Sequence, residues 1–332
     1  MLRTAAICAG LGIVAGEAVL SDPFAAGLEA VMQPIVDAKA AQYKCAIAAA
    51  VHFQNGTRVA VISGDKDYVK KTPAKVTDRF VWGSVTKTIT GTNILKAQEE
   101  GRLKITDPIV KYVDPLLAKM NASDPTMKFG SLEELFGPEV AKVTVENLAQ
   151  MKSGVPDYDT ATPNHKPPID SFRKECYANA TTDYRPQDIL ITPWVAKHAL
   201  EFPPGTKMQY SSTNFVLLGL VLAEVYGETW LKFDQGGIIP AAAKKDSVFA
   251  PTGPPSTHTQ MHGYDRTSYN GQNPSALPGI DVFDVDCVYA GWTASDYTAS
   301  VQDAADATFD IYGATQERSS IVHQWYFLAL FT

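Results

Sequence analysis

The spacing of apolar positions changes several times along the chain, and each change predicts an element. Cys45 to Phe53 and Arg58 to Ile62 are short apolar runs with Asn55-Gly56 between them. That arrangement predicts a β-hairpin, because Asn and Gly tolerate the positive φ of a tight turn. Ahead of it, Ala26 to Ala40 repeats its apolar residues at helical spacing. Asp78 to Trp82 is strand-like and stops at Gly83. From Ser84 the period is helical, with Val85, Ile89, Ile94 and Leu95 apolar among polar neighbours, and it closes at Gly101. Ile105 to Tyr112 reads as a turn into a short helix, and Thr144 with Asn147 three residues on marks another helix start. Phe215 to Tyr226 is solidly apolar and predicts a central, buried helix. Residues 158–186, rich in Pro, Thr and Asp, and 250–280, rich in Pro, Gly and Ser, predict surface loops.

The chain has 332 residues, 45% of them hydrophobic, enough for one large domain or two modest ones. A net charge of −7 argues against a nucleic-acid surface. Met1-Leu2-Arg3, the small apolar run Thr4 to Val14 and Gly16-Glu17-Ala18 read as a signal peptide over residues 1–18. A plain N-terminal helix or an uncleaved anchor are the alternatives, and the run is short for a membrane span. Asn-x-Ser/Thr sequons at Asn55, Asn121 and Asn179 agree with a secreted, extracellular glycoprotein. Once Cys8 leaves with the signal, Cys45, Cys176 and Cys287 permit one disulfide and one free thiol. The place of Cys45 in a predicted, buried strand suggests Cys176–Cys287 as the pair.

Candidate chemistry begins at Ser84 and Lys87. Residues three apart on a helix share a face, so the Lys87 ammonium can reach the Ser84 hydroxyl. A buried lysine beside a serine can lose its proton and act as base, turning a weak alcohol into a nucleophile. The same Ser-x-x-Lys spacing occurs at Ser63–Lys66, in a Gly/Asp turn, and at Ser171–Lys174, after Pro167-Pro168. Only Ser84 opens a long periodic segment. The plainer role for it is a helix N-cap. A second block, Pro203 to Gly219, runs from a Pro/Gly turn through Tyr210 and small polar residues into the apolar helix. A phenol there could exchange protons with a nucleophile or leaving group if nearby positive charge lowers its pKa. His258 and His262 have ligand-like spacing but lie in a predicted loop with no carboxylate to complete a metal set. No Gly-x-Ser-x-Gly elbow is present. Asp157 and Asp159 read as loop carboxylates, and the Trp292–Tyr297 region as either a cleft wall or exposed loop aromatics.

Four stretches in order, Phe80–Lys87, Leu148–Tyr158, Pro204–Gly219 and Ala290-Gly291 through Asp303-Ala304, resemble the class C β-lactamase and serine-esterase family. That family includes D-alanyl-D-alanine carboxypeptidase-like proteins. The resemblance covers roughly residues 30–313. It implies Ser84 as the acylated nucleophile, Lys87 as its activating partner and Tyr210 as the second proton-transfer group. The family's usual Tyr-x-Asn is replaced here by Tyr210-Ser211-Ser212. Ser212 keeps a hydroxyl for substrate binding, and Asn214 is the nearest amide. The literal Tyr177-Ala178-Asn179 is set aside as a sequon in a loop. The family's third motif, Lys-Thr-Gly or His-x-Gly on a late strand, is absent after Asp303: His323-Gln324-Trp325 has no glycine, and His262-Gly263 lies too early. That strand supplies an oxyanion-hole N–H in the family, a donor whose loss costs about 10²–10³ in kcat.

The expected fold is mixed α/β (α+β), β-lactamase/transpeptidase-like, an antiparallel sheet flanked by helices plus a mostly helical region. The serine-hydrolase domain spans residues 19–332, with C-terminal strands missing or replaced by the apolar, aromatic segment Ser319–Thr332. The expected function is a secreted serine hydrolase of an ester or amide, acting on a small molecule or peptide without metal or organic cofactor. A non-catalytic or truncated penicillin-binding-like module is the alternative.

Overall fold

A computed structural model describes residues 22–124, 126–159, 172–265 and 279–313. The expected signal peptide and the Ser319–Thr332 segment lie outside the described residues.

The longest buried run in the sequence becomes the axis of the helical part. Helix α8 (Thr213–Tyr226) is buried from Thr213 to Ala223 and ends at Gly227. Its Leu and Val side chains up to Leu222 are wholly enclosed, each contributing about 1.5–3 kcal/mol by leaving water. Around it pack α2 (Thr86–Glu99), α3 (Val110–Ser123) and α5 (Val145–Ala149). Thr144 and Asn147 close the expected helix start as a reciprocal capping box, with Asn147 N–H donating to Thr144 Oγ1 at 3.1 Å and Thr144 N–H to Asn147 Oδ1 at 3.2 Å. Shorter helices α4 (Leu132–Phe136), α6 (Phe172–Ala178) and α7 (Pro186–Leu190) complete this part.

The hairpin forms as the Asn-Gly turn predicts. Strand β1 (Ile47–His52) pairs antiparallel with β2 (Arg58–Ser63), Ala49 opposite Val61 and Val51 opposite Val59. Helix α1 (Pro23–Tyr43), capped by Asp22, covers one face, and Val36, Val59 and Val61 make a small separate core. Helix α9 (Val301–Tyr312) packs on β1, with the Phe309 ring stacked on His52 at 3.9 Å.

Between the two parts runs a three-stranded antiparallel sheet, β5 (Phe80–Val81), β9 (Tyr297–Ala299) and β6 (Ser247–Phe249), with β9 in the middle. Two small antiparallel pairs, β3 (Asp65–Asp67) with β4 (Thr72–Pro73) and β7 (Tyr264–Asp265) with β8 (Ile280–Asp281), form the rim. Among the described residues no helix is long and apolar enough to cross a membrane.

Three expectations change. Cys45 sits in the turn after α1, half-buried, and not in a strand. The expected strand at 78–82 shrinks to two residues because Trp82 already turns toward α2. The stretch 158–186 carries α6, whose Phe172 and Cys176 are buried, and Cys176 is joined to Cys287 by a disulfide.

Candidate active site

Ser84 lies where the central sheet hands the chain to α2. Trp82 N–H donates to Tyr297 O at 2.8 Å, a backbone link with β9. Gly83 then takes φ +52°, a left-handed value that a side chain resists, and a single 3₁₀ turn, Gly83–Val85, precedes α2. Thr86 fastens this corner: its Oγ1 donates to Gly83 O at 2.6 Å and accepts Tyr297 N–H at 2.9 Å. Ser84 is left exposed at the entrance to the helix, where unpaired N–H groups favour developing negative charge.

Lys87, one turn on, is buried to 8% exposure. Its Nζ donates to Ser84 Oγ at 3.0 Å and to Ala294 O at 2.9 Å. Tyr210 completes a triangle, its hydroxyl 2.8 Å from Ser84 Oγ, and Lys87 Nζ lies 5.2 Å from the centre of its ring. Partial burial pushes the Tyr210 phenol up. The positive charge of Lys87, with hydrogen bonds from Lys87, Ser84 and Ser212, outweighs that, and the net shift is downward.

Two loops are stitched together to hold Tyr210. Gln209 N–H donates to Met151 O at 2.9 Å, Ser212 N–H to Asp157 Oδ1 at 2.8 Å, and Tyr158 N–H to Thr213 Oγ1 at 3.0 Å. Ala294 is held from behind by α2, where Thr90 Oγ1 donates to Thr293 O at 2.6 Å. Nearby, Gln235 Nε2 donates to Asp296 Oδ1 at 2.8 Å, and complete burial pushes the Asp296 carboxyl well above the usual carboxylate range.

A pocket of about 480 Å³ extends from Ser84. Tyr158, Phe172, Tyr177 and Tyr264 line it, and the Cys176–Cys287 disulfide is part of its wall. Arg173 Nη2 donates to both oxygens of Asp159 (2.9 and 3.1 Å), and its Nη1 lies 3.8 Å from Asp265 Oδ2. The Tyr177 hydroxyl donates to the same Asp265 oxygen. Gly291 is on this wall, and a Cβ there would collide with the Tyr158 hydroxyl and Ser295 Oγ.

Of the residues singled out in the sequence, Ser84, Lys87 and Tyr210 come together within hydrogen-bonding distance. Ser212 is buried beside Tyr210. Asn214 turns away from the pocket: it is fully buried, its Oδ1 accepts from Ser153 Oγ at 2.7 Å and its amide contacts Met151 Sδ at 3.4 Å. Four residues past Tyr210 it has already entered α8 and faces the core. Trp292 and Tyr297 themselves are buried, at 2% and 1% exposure, while Ser295 between them lines the pocket, so the region does contribute to the cleft wall. His258 meets Tyr289 edge-on, while His262 Nδ1 lies 2.7 Å from Asp281 Oδ2 with its ring stacked on Phe283, so the two histidines serve different neighbours. Tyr177, set aside in the sequence, does line the pocket.

Three features escaped the sequence: the Ala294 carbonyl, the tether from Asp157 to Ser212, and the charged group of Asp159, Arg173 and Asp265. Backbone carbonyls carry no sequence signal. The position of Asp157 directly after Gly154-Val155-Pro156, inside a stretch matching the family, was the available hint.

A family model described as Beta-lactamase matches residues 32–303. In fold the chain is similar to the D-amino acid amidase from Ochrobactrum anthropi SV3, at a TM-score of 0.66 and 18% identity, covering 91% of this chain and 74% of that one. It is also similar to a D-stereospecific amidohydrolase from Streptomyces sp., at a TM-score of 0.60 and 21% identity, covering 88% and 76%. Protein flp from Staphylococcus aureus (strain MW2) is 24% identical over 234 residues, 70% of this chain. The chain spans about 40% of the length of that relative.

Proposed function

The chain belongs to the beta-lactamase family of serine hydrolases, and from that premise we propose that it hydrolyses an ester or amide through an acyl-enzyme on Ser84. The observation that carries this reading is the triangle of Ser84 Oγ, Lys87 Nζ and Tyr210 OH, with hydrogen bonds of 3.0 and 2.8 Å meeting at the serine oxygen.

The geometry favours Tyr210 over Lys87 as the base. Lys87 uses its protons on Ser84 Oγ and Ala294 O, as an ammonium does, and that cation favours the phenolate form of Tyr210. In the first step Ser84 Oγ bonds to the substrate carbonyl carbon while its proton passes to the Tyr210 oxygen. As the carbonyl re-forms, the bond to the leaving group breaks and Tyr210 returns the proton to the departing nitrogen or oxygen. Water, giving a proton to the same phenolate, then attacks the ester, and Tyr210 returns that proton to Ser84 Oγ as its bond to the acyl carbon breaks, releasing the acid and free Ser84. Lys87 keeps its contacts to Ser84 Oγ and Ala294 O and stabilises the anionic states around it.

A secreted location accompanies this reading. The Cys176–Cys287 disulfide and the exposure of Asn55, Asn121 and Asn179 support it.

Intact-protein mass spectrometry after incubation with a serine-directed fluorophosphonate tests the reaction. The expected result is one adduct on the wild-type chain and none on Ser84→Ala. Tyr210→Phe is expected to slow labelling by about 10²–10⁴, the usual range for a proton-transfer group, and Lys87→Ala to slow it as well through loss of the amine beside Ser84 and Tyr210. A folded wild-type chain that takes no adduct overturns the reading in favour of a non-catalytic binding module.

A further inference from the structure

Asp296 is an acid that the reaction does not use, yet it is buried just past the carbonyl that receives Lys87. Its Oδ1 accepts from Gln235 Nε2 at 2.8 Å, and Gln235 is buried as well. Neither side chain lines the pocket beside Ser84. Burial favours the protonated form of Asp296. The acid and the amide therefore meet as two neutral polar groups in the interior.

Their placement is explained by the turn that carries Ala294. The turn Trp292–Ala294 is closed by Ala294 N–H to Gly291 O at 2.8 Å and Asp296 N–H to Trp292 O at 2.9 Å. Trp292 takes φ +41°, a left-handed value that a bulky side chain keeps only when its surroundings fix it. One face of α2 does the fixing, because Lys87, Thr90 and Asn93 are spaced to lie along it. Lys87 Nζ donates to Ala294 O at 2.9 Å. The Thr90 hydroxyl lies 2.6 Å from Thr293 O and 3.1 Å from Gln235 Oε1, and Asn93 Nδ2 donates to Gln235 O at 2.8 Å. Thr90 thus holds the residue before Ala294. Gln235, itself tied to α2, holds Asp296 beyond it.

Resting on the acyl-transfer reading above, we propose that Asp296 and Gln235 are positioning residues for Lys87: their hydrogen bond closes a bracket around Ala294 and keeps its carbonyl aimed at the ammonium. With the bracket open, the ammonium loses its fixed place beside Ser84 and Tyr210. Asp296 works here through hydrogen bonding and not through charge. A protonated carboxyl offers an acceptor oxygen and an O–H, which the oxygen and N–H of an asparagine reproduce.

The test follows fluorophosphonate labelling of Ser84 as a function of probe concentration. In Asp296→Ala the labelling rate at saturating probe is expected to fall about tenfold, the effect of one hydrogen bond on a barrier. The concentration giving half that rate should hardly move, since the pocket wall is untouched. Asp296→Asn should restore the rate. Gln235→Met keeps the side-chain length and cuts the same bond, so it carries the test should Asp296→Ala not fold. A second arm needs no acylation and so separates this proposal from the catalytic reading. Alkaline ultraviolet titration isolates Tyr210 as the difference between Ser84→Ala and the same chain with Tyr210→Phe. Added to Ser84→Ala, Asp296→Ala or Gln235→Met should move the Tyr210 midpoint up toward the ordinary value of about 10, and Asp296→Asn should leave it in place. That result supports the bracket even where no phosphonate adduct forms. Folded Asp296→Ala and Gln235→Met chains that keep the wild-type labelling rate and Tyr210 midpoint overturn the proposal, whatever their Tm. An Asp296→Asn chain that loses both overturns it too, because the charge of Asp296 would then be the working feature.

Discussion

In the proposed reaction, Tyr210 is the residue at which pH enters the chemistry. Burial alone would raise its phenol, yet the net shift is downward because Lys87 is so close, so in the folded chain it ionises below the ordinary tyrosine value of about 10. In that reaction the phenolate is the active form, present above the folded-state pKa. We therefore expect kcat/KM to rise with pH through that pKa and to level off above it. Lys87→Met removes the cation and should move the rising limb toward higher pH, while Tyr210→Phe should abolish it. A pH–rate profile with the same limb in wild type and Lys87→Met would exclude Tyr210 as the base. Asp157 acts one step back. It accepts the Ser212 N–H, and Asp157→Ala leaves that buried donor unpaired, at about 1–3 kcal/mol in thermal or denaturant unfolding, with a lower kcat as Tyr210 loosens. At this scale the sequence was informative where distance along the chain is short. Ser84 and Lys87 meet because helical geometry sets positions three apart on one face, so their contact follows from spacing alone. The tether from Asp157 to Ser212 joins residues 55 apart, and no local pattern reports it. The placement of Asn214, buried against Ser153, is hidden for a related reason: proximity to Tyr210 in sequence says nothing about which face of α8 an amide takes.

Among the elements, α6 shows how a stretch that reads as loop can build a site. Its seven residues carry Phe172, Arg173, Cys176 and Tyr177 to one pocket wall, and the disulfide to Cys287 fastens it across a separation of 111 residues. Losing the bridge, by reduction or as Cys287→Ser, is expected to lower stability by about 2–5 kcal/mol, read as a fall in Tm. Because α6 holds the pocket wall and not the Ser84 triangle, KM should rise more than kcat falls. A chain that keeps its KM after reduction would show that α6 is held by packing alone. The long periodic elements α2 and α8 were legible, as was the hairpin with its Asn-Gly turn. The central sheet was not. Strands β5, β6 and β9 are two or three residues long, too short for alternation to register. Their pairing joins Phe80 to Ala299 and Ser247 to Ala299, partners that only the folded molecule brings together.

At the scale of the whole molecule, the candidate site sits where the helical part meets the central sheet, and the hairpin stands to one side with its own small core. What ties the hairpin down is a polar clamp on α9. Asp306, nearly buried, lies 2.9 Å from both His52 Nδ1 on β1 and Arg58 Nε on β2. Arg58 is half exposed, so screening discounts its share, whereas His52 is buried with its ring against Phe309. Asp306→Ala should therefore cost on the order of 1 kcal/mol, from removing the acceptor of Arg58 Nε and Gln302 Nε2 and the carboxylate that lies against the buried His52 ring. The effect should be local. The clamp and the Ser84 triangle share no residue, and Val36 of α1 with Val59 and Val61 of β2 forms a cluster separate from the one around α8. Native-state hydrogen exchange distinguishes a local from a global loss. In Asp306→Ala the β1 and β2 amides should exchange faster while those of α8 keep their wild-type protection, and fluorophosphonate labelling of Ser84 should proceed at an unchanged rate. A uniform rise in exchange across hairpin and α8 would instead make the two cores one cooperative unit, with the clamp part of the stability of the site itself.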